Sequence, residues 1–120
     1  MTEQMLPHSH GQAIEGMLDR MPKAEEFQTV AGLFSQLGDS SRIRIFWLLC
    51  HCEECVINIA ALMQMSSPAV SHHLSKLKSC GLIISRREGK EVYYKAAKTP
   101  QALLLHHVIE QMMEIACPSS

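Results

Sequence analysis

The sequence predicts a mainly α-helical fold that carries a small β-hairpin. Apolar residues recur at helical spacing in several separate stretches of the chain. Towards the C-terminus, two short strand-like stretches, 83–87 and 91–95, flank a Glu-Gly-Lys turn. The length of 120 residues, with 47% hydrophobic and 19% charged residues, fits one globular domain and excludes a disordered chain.

The N-terminal region predicts an arm and a short helix. Residues 1–11 lack an apolar pattern, so we expect a flexible arm there and a folded domain over 12–117. A short helix is expected over 12–20. No apolar run approaches the ~20 residues that span a bilayer, and the N-terminus lacks the apolar stretch of a secretory signal. We therefore expect a cytoplasmic protein with no membrane partner, in which the five cysteines stay reduced.

Two longer helices are predicted next. Apolar residues over 27–34 follow the spacing of an amphipathic helix, which ends near Gly38. Asp39 or Ser40 can cap the following helix, because short polar side chains accept hydrogen bonds from the free amides at a helix start. Apolar residues over 43–49 occupy most of the circumference of that helix, so we expect it to be buried.

A helix, a tight turn and a second helix follow. Residues 56–64 predict the first helix and residues 68–79 the second. Ser67 is the expected cap of the second helix, and Gly81 is placed to end it. With the basic hairpin behind them and a last helix over 100–116, these elements predict a winged helix-turn-helix.

Positive charge is concentrated in this part of the chain. Residues 66–98 contain seven Lys and Arg residues against two Glu, whereas the remainder contains four basic and ten acidic residues. A basic segment on an otherwise acidic chain indicates a polyanion partner, with a solvated charged face as the alternative. An α-helix fits the major groove of DNA, where Ser, His and Lys side chains bond base edges and phosphates. The alternative for His72 and His73 is that one or both pack or cap, and His73 is then the first to be enclosed.

Five stretches resemble successive signatures of the ArsR/SmtB winged-helix repressors; they are Leu37–Ile45, Cys55–Ala60, Ser67–Lys78, Gly81–Ile83 and Arg86–Tyr94. The resemblance covers about residues 24–116. It implies a cytoplasmic prokaryotic homodimer that represses an operator until an inducer binds. It also implies a DNA contact surface whose members are Ser67, Ala69, Ser71, His72 and Lys76 of the recognition helix and Arg86, Arg87 and Lys90 of the wing.

A homodimer is also expected from the apolar residues of the first and last helices. These helices carry more apolar positions than a core of this size absorbs. Pairing them across a two-fold axis would bury the surplus, whereas the alternative is that both close over their own core. Two copies would set two recognition helices about one DNA turn apart, which favours a palindromic site in double-stranded operator DNA.

The first-choice metal site is the thiol cluster Cys50, Cys52 and Cys55, with His51 and two carboxylates between the thiols. Thiolates favour zinc, cadmium, lead, arsenite or copper(I) over hard cations. The alternative is that Cys50 and Cys55 are small core residues. Thiol-binding members of the resembled family carry Cys-x-Cys at this point, and here Cys55 takes the first position and Ile57 the second.

Lower-ranked metal ligands lie towards the two ends of the chain; they are His8, His10, His106, His107, Glu110 and Cys117. The imidazoles of His8 and His10 lie on the predicted N-terminal arm. They either complete a metal site with ligands from elsewhere in the chain or have no role in metal binding. His106 and His107 are spaced four and three residues from Glu110, so either pair converges on one helix face. The family resemblance implies zinc binding at this helix across the dimer axis. Solvated or interface histidines are the alternative.

These features predict a DNA-binding transcriptional repressor that leaves its operator when a transition or heavy metal ion binds. The alternative is a thiol-redox or persulfide response of the same fold, which would use the thiol cluster with Cys117 and need no metal. An enzyme is not expected, because the sequence has no nucleophile setting and no glycine-rich phosphate loop. No small organic substrate is expected either.

Overall fold

A computed structural model describes residues 6–11 and 14–118, with helices and a small sheet in the predicted order. The elements are α1 Glu15–Arg20, α2 Ala24–Gln36, α3 Ser40–His51, β1 Glu54–Cys55, α4 Val56–Met63, α5 Ser67–Ser79, β2 Ile83–Glu88, β3 Glu91–Ala96 and α6 Pro100–Ala116. The predicted fold class, mainly α with a β-hairpin, is confirmed. Among the described helices, none has both the length and the apolar character needed to cross a bilayer.

The backbone packs into two units, Met1–Gly32 and Leu33–Ser120. In the first unit, residues 6–11 are exposed and lie outside helices and strands, whereas residues 1–5 of the predicted arm lie outside the described residues. Helix α1 is shorter than predicted: it begins at Glu15, and residues 12 and 13 are not among those described. The proposed domain start at residue 12 stays a prediction.

The second unit is built on an apolar core to which four helices (α3, α4, α5 and α6) and the hairpin contribute. Its fully buried large side chains are Ile45, Phe46, Ile59, Val70, Leu74, Leu77, Leu82 and Ile83. The sequence predicted that α3 is buried all round, and this is wrong in part: Trp47 is 38% exposed. Helix α3 buries one face because its neighbours in the core lie on one side of it.

Helices α4 and α5 form the predicted helix-turn-helix. Helix α4 ends at Gln64, which adopts the left-handed conformation with a φ of 56°. Ser66, rather than the predicted Ser67, caps α5: its hydroxyl accepts a hydrogen bond from the amide of Ala69 at 3.3 Å. Ser66 has the extended backbone that a cap requires, whereas Ser67 is already helical. Gly81, with a φ of 72°, follows the end of α5 as predicted.

The sheet has three antiparallel strands in the order β1-β3-β2. The hairpin turns at Gly89, whose φ of 64° suits glycine. Strand β1 falls between the helices predicted over 43–49 and 56–64, where the sequence predicts no strand; it pairs Cys55 with Tyr93. A two-residue strand is too short to show an alternating pattern, and only its pairing with β3 defines it. It attaches the chain that follows α3 to the hairpin.

A buried polar contact joins α3 to α5. Arg42 and His73 are each only 9% exposed, and the Arg42 guanidinium donates from Nε to His73 Nδ1 at 3.2 Å. Arg42 also donates to the backbone carbonyl and to the side-chain oxygen of Gln36, at 2.9 and 3.0 Å. Burial lowers the pKa of His73 below its ordinary value of 6.5, the charges of Arg42 and His72 lower it further, and Asp39 opposes them. His73 is therefore a neutral acceptor in the folded chain.

We expect stability to depend on pH through His73. The unfolded chain protonates this imidazole near pH 6.5 and the folded chain only at lower pH. The stabilisation is complete above pH 6.5 and is lost as the pH falls through the lower folded value. Urea unfolding at pH 7.5 and 5.5 should show a larger loss for the wild type than for His73→Asn.

His73→Asn should retain most of the stability at pH 7.5, because its amide oxygen can replace Nδ1 as the acceptor, whereas His73→Leu should cost about 1–3 kcal/mol because it withdraws the acceptor from a buried Arg42. His72→Asn removes an exposed imidazole from the neighbouring position and serves as the matched control. Equal pH dependence in the wild type and in His73→Asn would contradict the assignment.

Candidate nucleic-acid interface and metal-ligating groups

Helix α5 presents a polar face to solvent. Its buried residues are Val70, His73, Leu74 and Leu77, which follow one side of the helix. On the opposite side, the predicted contact residues Ser67, Ser71, His72 and Lys76 are exposed, while Ala69 is partly buried. The imidazole of His73 is buried and that of His72 is exposed, so the packing alternative applies to His73 and not to His72. Since an α-helix fits the major groove, this face can meet base edges over its whole length.

Helix α5 is tied to the hairpin by a side-chain hydrogen bond. Lys78 Nζ donates to Ser85 Oγ of β2 at 2.7 Å. This contact lies at the end of α5 that faces the wing and fixes the two elements against each other. The recognition surface therefore includes both the polar face of α5 and the hairpin beside it.

The basic residues of the hairpin fall into two groups. Arg87 and Lys90 are exposed near the turn, and none of the ion pairs found among the described residues includes either side chain. Arg86 instead donates to both carboxylate oxygens of Glu53, at 2.9 and 2.7 Å, and to Glu88 at 2.8 Å. Its guanidinium also lies over the ring of Tyr93, 4.9 Å from the centroid.

Arg86, which is predicted to contact DNA, is held within the chain by two carboxylates, and its role as a DNA contact stays a prediction. Its hydrogen bonds to Glu53 and then to Glu88 raise its pKa, and the same bonds lower the pKa of Glu53. The carboxylates of Glu53 and Glu88 neutralise the positive charge of Arg86, which would otherwise attract a DNA phosphate. Arg86 holds the wing against the segment after α3, and Arg87 and Lys90 provide the available positive charge.

The structure does not bring the first-choice thiols together. Within residues 6–11 and 14–118, the cluster of metal-ligating groups that meets in one place contains no cysteine. Cys52 is exposed, with its thiol directed to the Leu48 carbonyl at 3.4 Å, whereas Cys55 is buried where β1 meets α4. The chain turns into β1 directly after α3, and this turn separates Cys50 from Cys55.

The surroundings of Cys50 and Cys52 keep both thiols protonated. Both thiols line an open depression together with Lys95 and Lys98. Burial raises the pKa of Cys50 to about 11, and the charge of Glu110 adds to the effect. Burial and then Glu54 raise the pKa of Cys52. Both groups are therefore protonated thiols at neutral pH, and an ion would have to displace their protons.

Metal-ligating side chains meet instead between α3 and α6. One ligand atom each of His51, His106 and Glu110 lies within 4.8 Å of the others. Glu110 Oε1 is 3.3 Å from His106 Nε2 and 3.9 Å from His51 Nε2. Trp47 donates its indole N–H to the same carboxylate oxygen at 2.9 Å. These contacts, first that of Trp47 and then that of His106, lower the pKa of Glu110, which is ionised at neutral pH.

This cluster joins two groups of candidates that the sequence kept apart. His51 was seen only as part of the thiol cluster, and His106 with Glu110 only as a pair on the last helix. The spacing of four residues could identify the pair, but no sequence signal connects it to His51. Packing of α6 against the end of α3 makes that connection.

The remaining candidates stay outside the cluster. His107 is exposed on α6, and Cys117 is exposed just beyond it beside Glu110 and Glu114. In the first unit, the rings of His8 and His10 stack with their centroids 6.0 Å apart, and both residues are exposed. Their roles as ligands stay predictions.

Comparison with known proteins identifies the family. The family model "Bacterial regulatory protein, arsR family" matches residues 39–85, from the cap of α3 into β2. A transcriptional repressor SmtB homolog from Synechocystis is 34% identical over 108 residues, which cover 90% of this chain and 82% of the relative. The chain belongs to the ArsR family.

Further ArsR relatives match shorter stretches. A cadmium resistance regulatory protein, CadC, from Listeria innocua is 41% identical over 75 residues, or 60% of this chain and 63% of its own length. The arsenical resistance operon repressor of Escherichia coli is 38% identical over 64 residues, or 52% and 55% of the two chains. This chain thus spans less than two thirds of these two regulators.

Solved structures support the fold. A homodimeric winged helix-turn-helix DNA-binding domain from Mycobacterium bovis superimposes with a TM-score of 0.66 at 27% identity, covering 94% of each chain. NolR from Sinorhizobium fredii gives 0.68 at 27% identity, covering 79% of this chain and 95% of the other. The winged helix-turn-helix and the family predicted from the sequence are confirmed.

The family is one of DNA-binding transcriptional regulators and not of enzymes. The predicted main function, a DNA-binding repressor of the metal-responsive kind, agrees with these relatives. The thiol-redox alternative finds no support among them.

We expect Arg87 and Lys90, but not Arg86, to govern the salt dependence of DNA binding. Each phosphate contact contributes about 0.9 to the slope of log affinity against log salt concentration. Arg87→Ala and Lys90→Ala should each reduce this slope by about 0.9 per wing on duplex DNA of arbitrary sequence, measured by fluorescence anisotropy. Arg86→Ala should leave the slope near that of the wild type.

Glu53→Gln is the converse test, since it removes the charge that neutralises Arg86. This variant should bind duplex DNA with a steeper salt dependence than the wild type. A slope for Arg86→Ala as low as that for Arg87→Ala would show that Arg86 contacts phosphate after all.

Proposed function

We propose that this ArsR-family chain is a homodimeric repressor that reads operator DNA with α5 and the wing and releases it when a metal ion binds. The observation that carries the proposal is the exposed polar face of α5 beside an exposed basic hairpin turn. Operator binding places the protein in the bacterial cytoplasm, where the chromosome lies.

Base readout in this proposal belongs to the centre of α5. Ser71 and His72 are exposed there, and both side chains can donate to and accept from base edges. Lys76 lies one turn further along the helix and is suited to a phosphate, as are Arg87 and Lys90 on the wing. Ser67 and Ala69 lie in the first turn of α5, where small side chains allow the backbone to approach DNA closely.

The dimer is supported by apolar side chains that the single chain leaves exposed. In the first unit these include Met17, Phe27 and Val30. On α6 the exposed apolar residues are Leu103, Leu104, Met112, Met113 and Ile115. If α6 closed over the core of its own unit, as in the alternative, the exposed side chains of α6 would be covered. Their exposure favours a second copy of the chain as the covering partner.

The inducer in this proposal is a transition or heavy metal ion, such as zinc, cadmium, lead or arsenite. Relatives named for cadmium resistance and arsenical resistance support the proposal. An ion that stabilises one dimer geometry over another by about 1–3 kcal/mol changes DNA affinity by about 5- to 150-fold. The change in DNA affinity therefore depends on how much more tightly the ion binds one dimer geometry than the other, and not on the absolute strength of its binding.

Replacing the two central residues of α5 tests the DNA assignment. Ser71→Ala combined with His72→Ala should abolish sequence-specific binding, because each lost base contact costs about 1–3 kcal/mol. The duplex is one selected by the wild-type protein from a random library, and binding is measured by gel shift. The dimer, measured by sedimentation, should be unchanged, since both side chains are exposed.

Ser9→Ala with His10→Ala removes the same two side chains from another exposed place and is the matched control. If the α5 double variant bound the selected duplex as tightly as the wild type, α5 would not be the reading helix.

A further inference from the structure

We propose that His51, His106 and Glu110 form a binding site for a divalent transition metal ion of the zinc class. The site lies within one chain and connects α3 to α6. It differs from the thiol cluster and from a site shared across the dimer axis, the two arrangements that the sequence led us to expect. Metal binding stands on the geometry alone, whereas its effect on DNA rests on the proposed function.

The distances are close to those of a bound ion. Ligand atoms held at about 2.0–2.1 Å around a tetrahedral ion lie roughly 3.3–3.4 Å from one another. Here the Glu110 oxygen is 3.3 Å from His106 Nε2 and 3.9 Å from His51 Nε2. The two imidazole rings stand edge to face at 5.1 Å between centroids. The ligand atoms of His51 and His106 lie within 4.8 Å of each other, so binding one ion requires His51 to move closer to the other two ligands.

The donor set selects the class of ion. Two imidazole nitrogens and one carboxylate oxygen suit borderline divalent ions such as zinc, cobalt and nickel, and they are poor ligands for lead, arsenite or copper(I). Three protein ligands leave a fourth tetrahedral position for water. The side chains of His51, His106 and Glu110 are 44%, 32% and 46% exposed, so an ion reaches them from solvent.

The surrounding structure holds the ligands in place. His106 and Glu110 are one helical turn apart on α6, and His51 is the last residue of α3. Trp47, one turn before His51, donates to the carboxylate at 2.9 Å, and its ring lies 4.2 Å from the His51 ring. Such supporting hydrogen bonds orient metal ligands and commonly change metal affinity by about 10- to 100-fold.

An ion in this place would act on both functional parts of the molecule. Helix α6 carries exposed apolar residues proposed for the dimer interface, and α3 packs against α5. Glu53, which accepts hydrogen bonds from Arg86 of the wing, lies two residues after His51. Joining the end of α3 to α6 therefore biases the dimer geometry and the position of the wing together.

Cobalt(II) is the probe for binding. The wild-type chain should bind one ion per chain, with visible bands of a nitrogen- and oxygen-ligated ion and without the intense near-ultraviolet absorption of thiolate ligation. A triple variant, Cys50→Ser with Cys52→Ser and Cys55→Ser, should bind equally well. Trp47 is the single tryptophan of the sequence, so its fluorescence should change as Glu110 engages the ion.

His51→Asn, His106→Asn and Glu110→Gln should each weaken cobalt binding at least about 10-fold. Glu114→Gln is the matched control on the same helix and should bind as the wild type. Circular dichroism checks folding, and the three ligand variants give independent readings should one of them not fold. The site would be overturned by thiolate absorption that disappears in the triple variant or by a stoichiometry of one ion per dimer. Unchanged cobalt binding by folded ligand variants would overturn it as well.

DNA release separates this inference from the proposed function. Zinc should weaken binding of the selected duplex by the wild type and by the triple variant, and not by the folded ligand variants. If cobalt and zinc bind at these residues while DNA affinity is unchanged, the site stands and metal-induced release fails. If zinc releases DNA equally well from the ligand variants, release stands and this site is wrong.

Discussion

Burial of one side of α5 is the constraint on which the functional surface depends. Val70, Leu74 and Leu77 are enclosed by the core, so the helix cannot rotate about its axis without exposing them. The Arg42–His73 contact adds a directional restraint, because a buried guanidinium needs its acceptor. Ser71 and His72 point to solvent because the opposite face is occupied. The same packing that stabilises the unit orients the side chains that we propose read DNA.

In the wing, two arginines that are adjacent in sequence have different electrostatic surroundings in the structure. Arg86 and Arg87 are adjacent, and a strand sends neighbouring side chains to opposite faces. Arg86 meets Glu53 and Glu88 on one face, where two carboxylates surround one guanidinium, and Arg87 remains exposed on the other. One arginine thus anchors the hairpin to the segment after α3, while the other keeps its charge for a polyanion. Strand β1 serves the same anchoring purpose through the backbone.

The metal-ligating groups show that thiols close together in sequence need not be close in space. Cys50, Cys52 and Cys55 are distributed over the end of α3, a turn and the start of α4, and they face different surroundings. Regular helices instead bring His51 to His106 and Glu110, each held at a defined angle. Helical scaffolds position ligands more firmly than a turn does, and the ligand class changes from soft sulfur to nitrogen and oxygen.

The sequence by itself determined the helices, the hairpin, the two faces of α5 and the family, because these depend on local periodicity, turn residues and short motifs. Only the tertiary structure decided that Ser66 caps α5, that β1 exists, that Arg86 is neutralised and that His51 joins the ligands on α6. Each of these depends on a backbone conformation or on a contact between residues distant along the chain. Such contacts are set by which elements pack against each other, and this choice of partners leaves no periodic trace in the sequence.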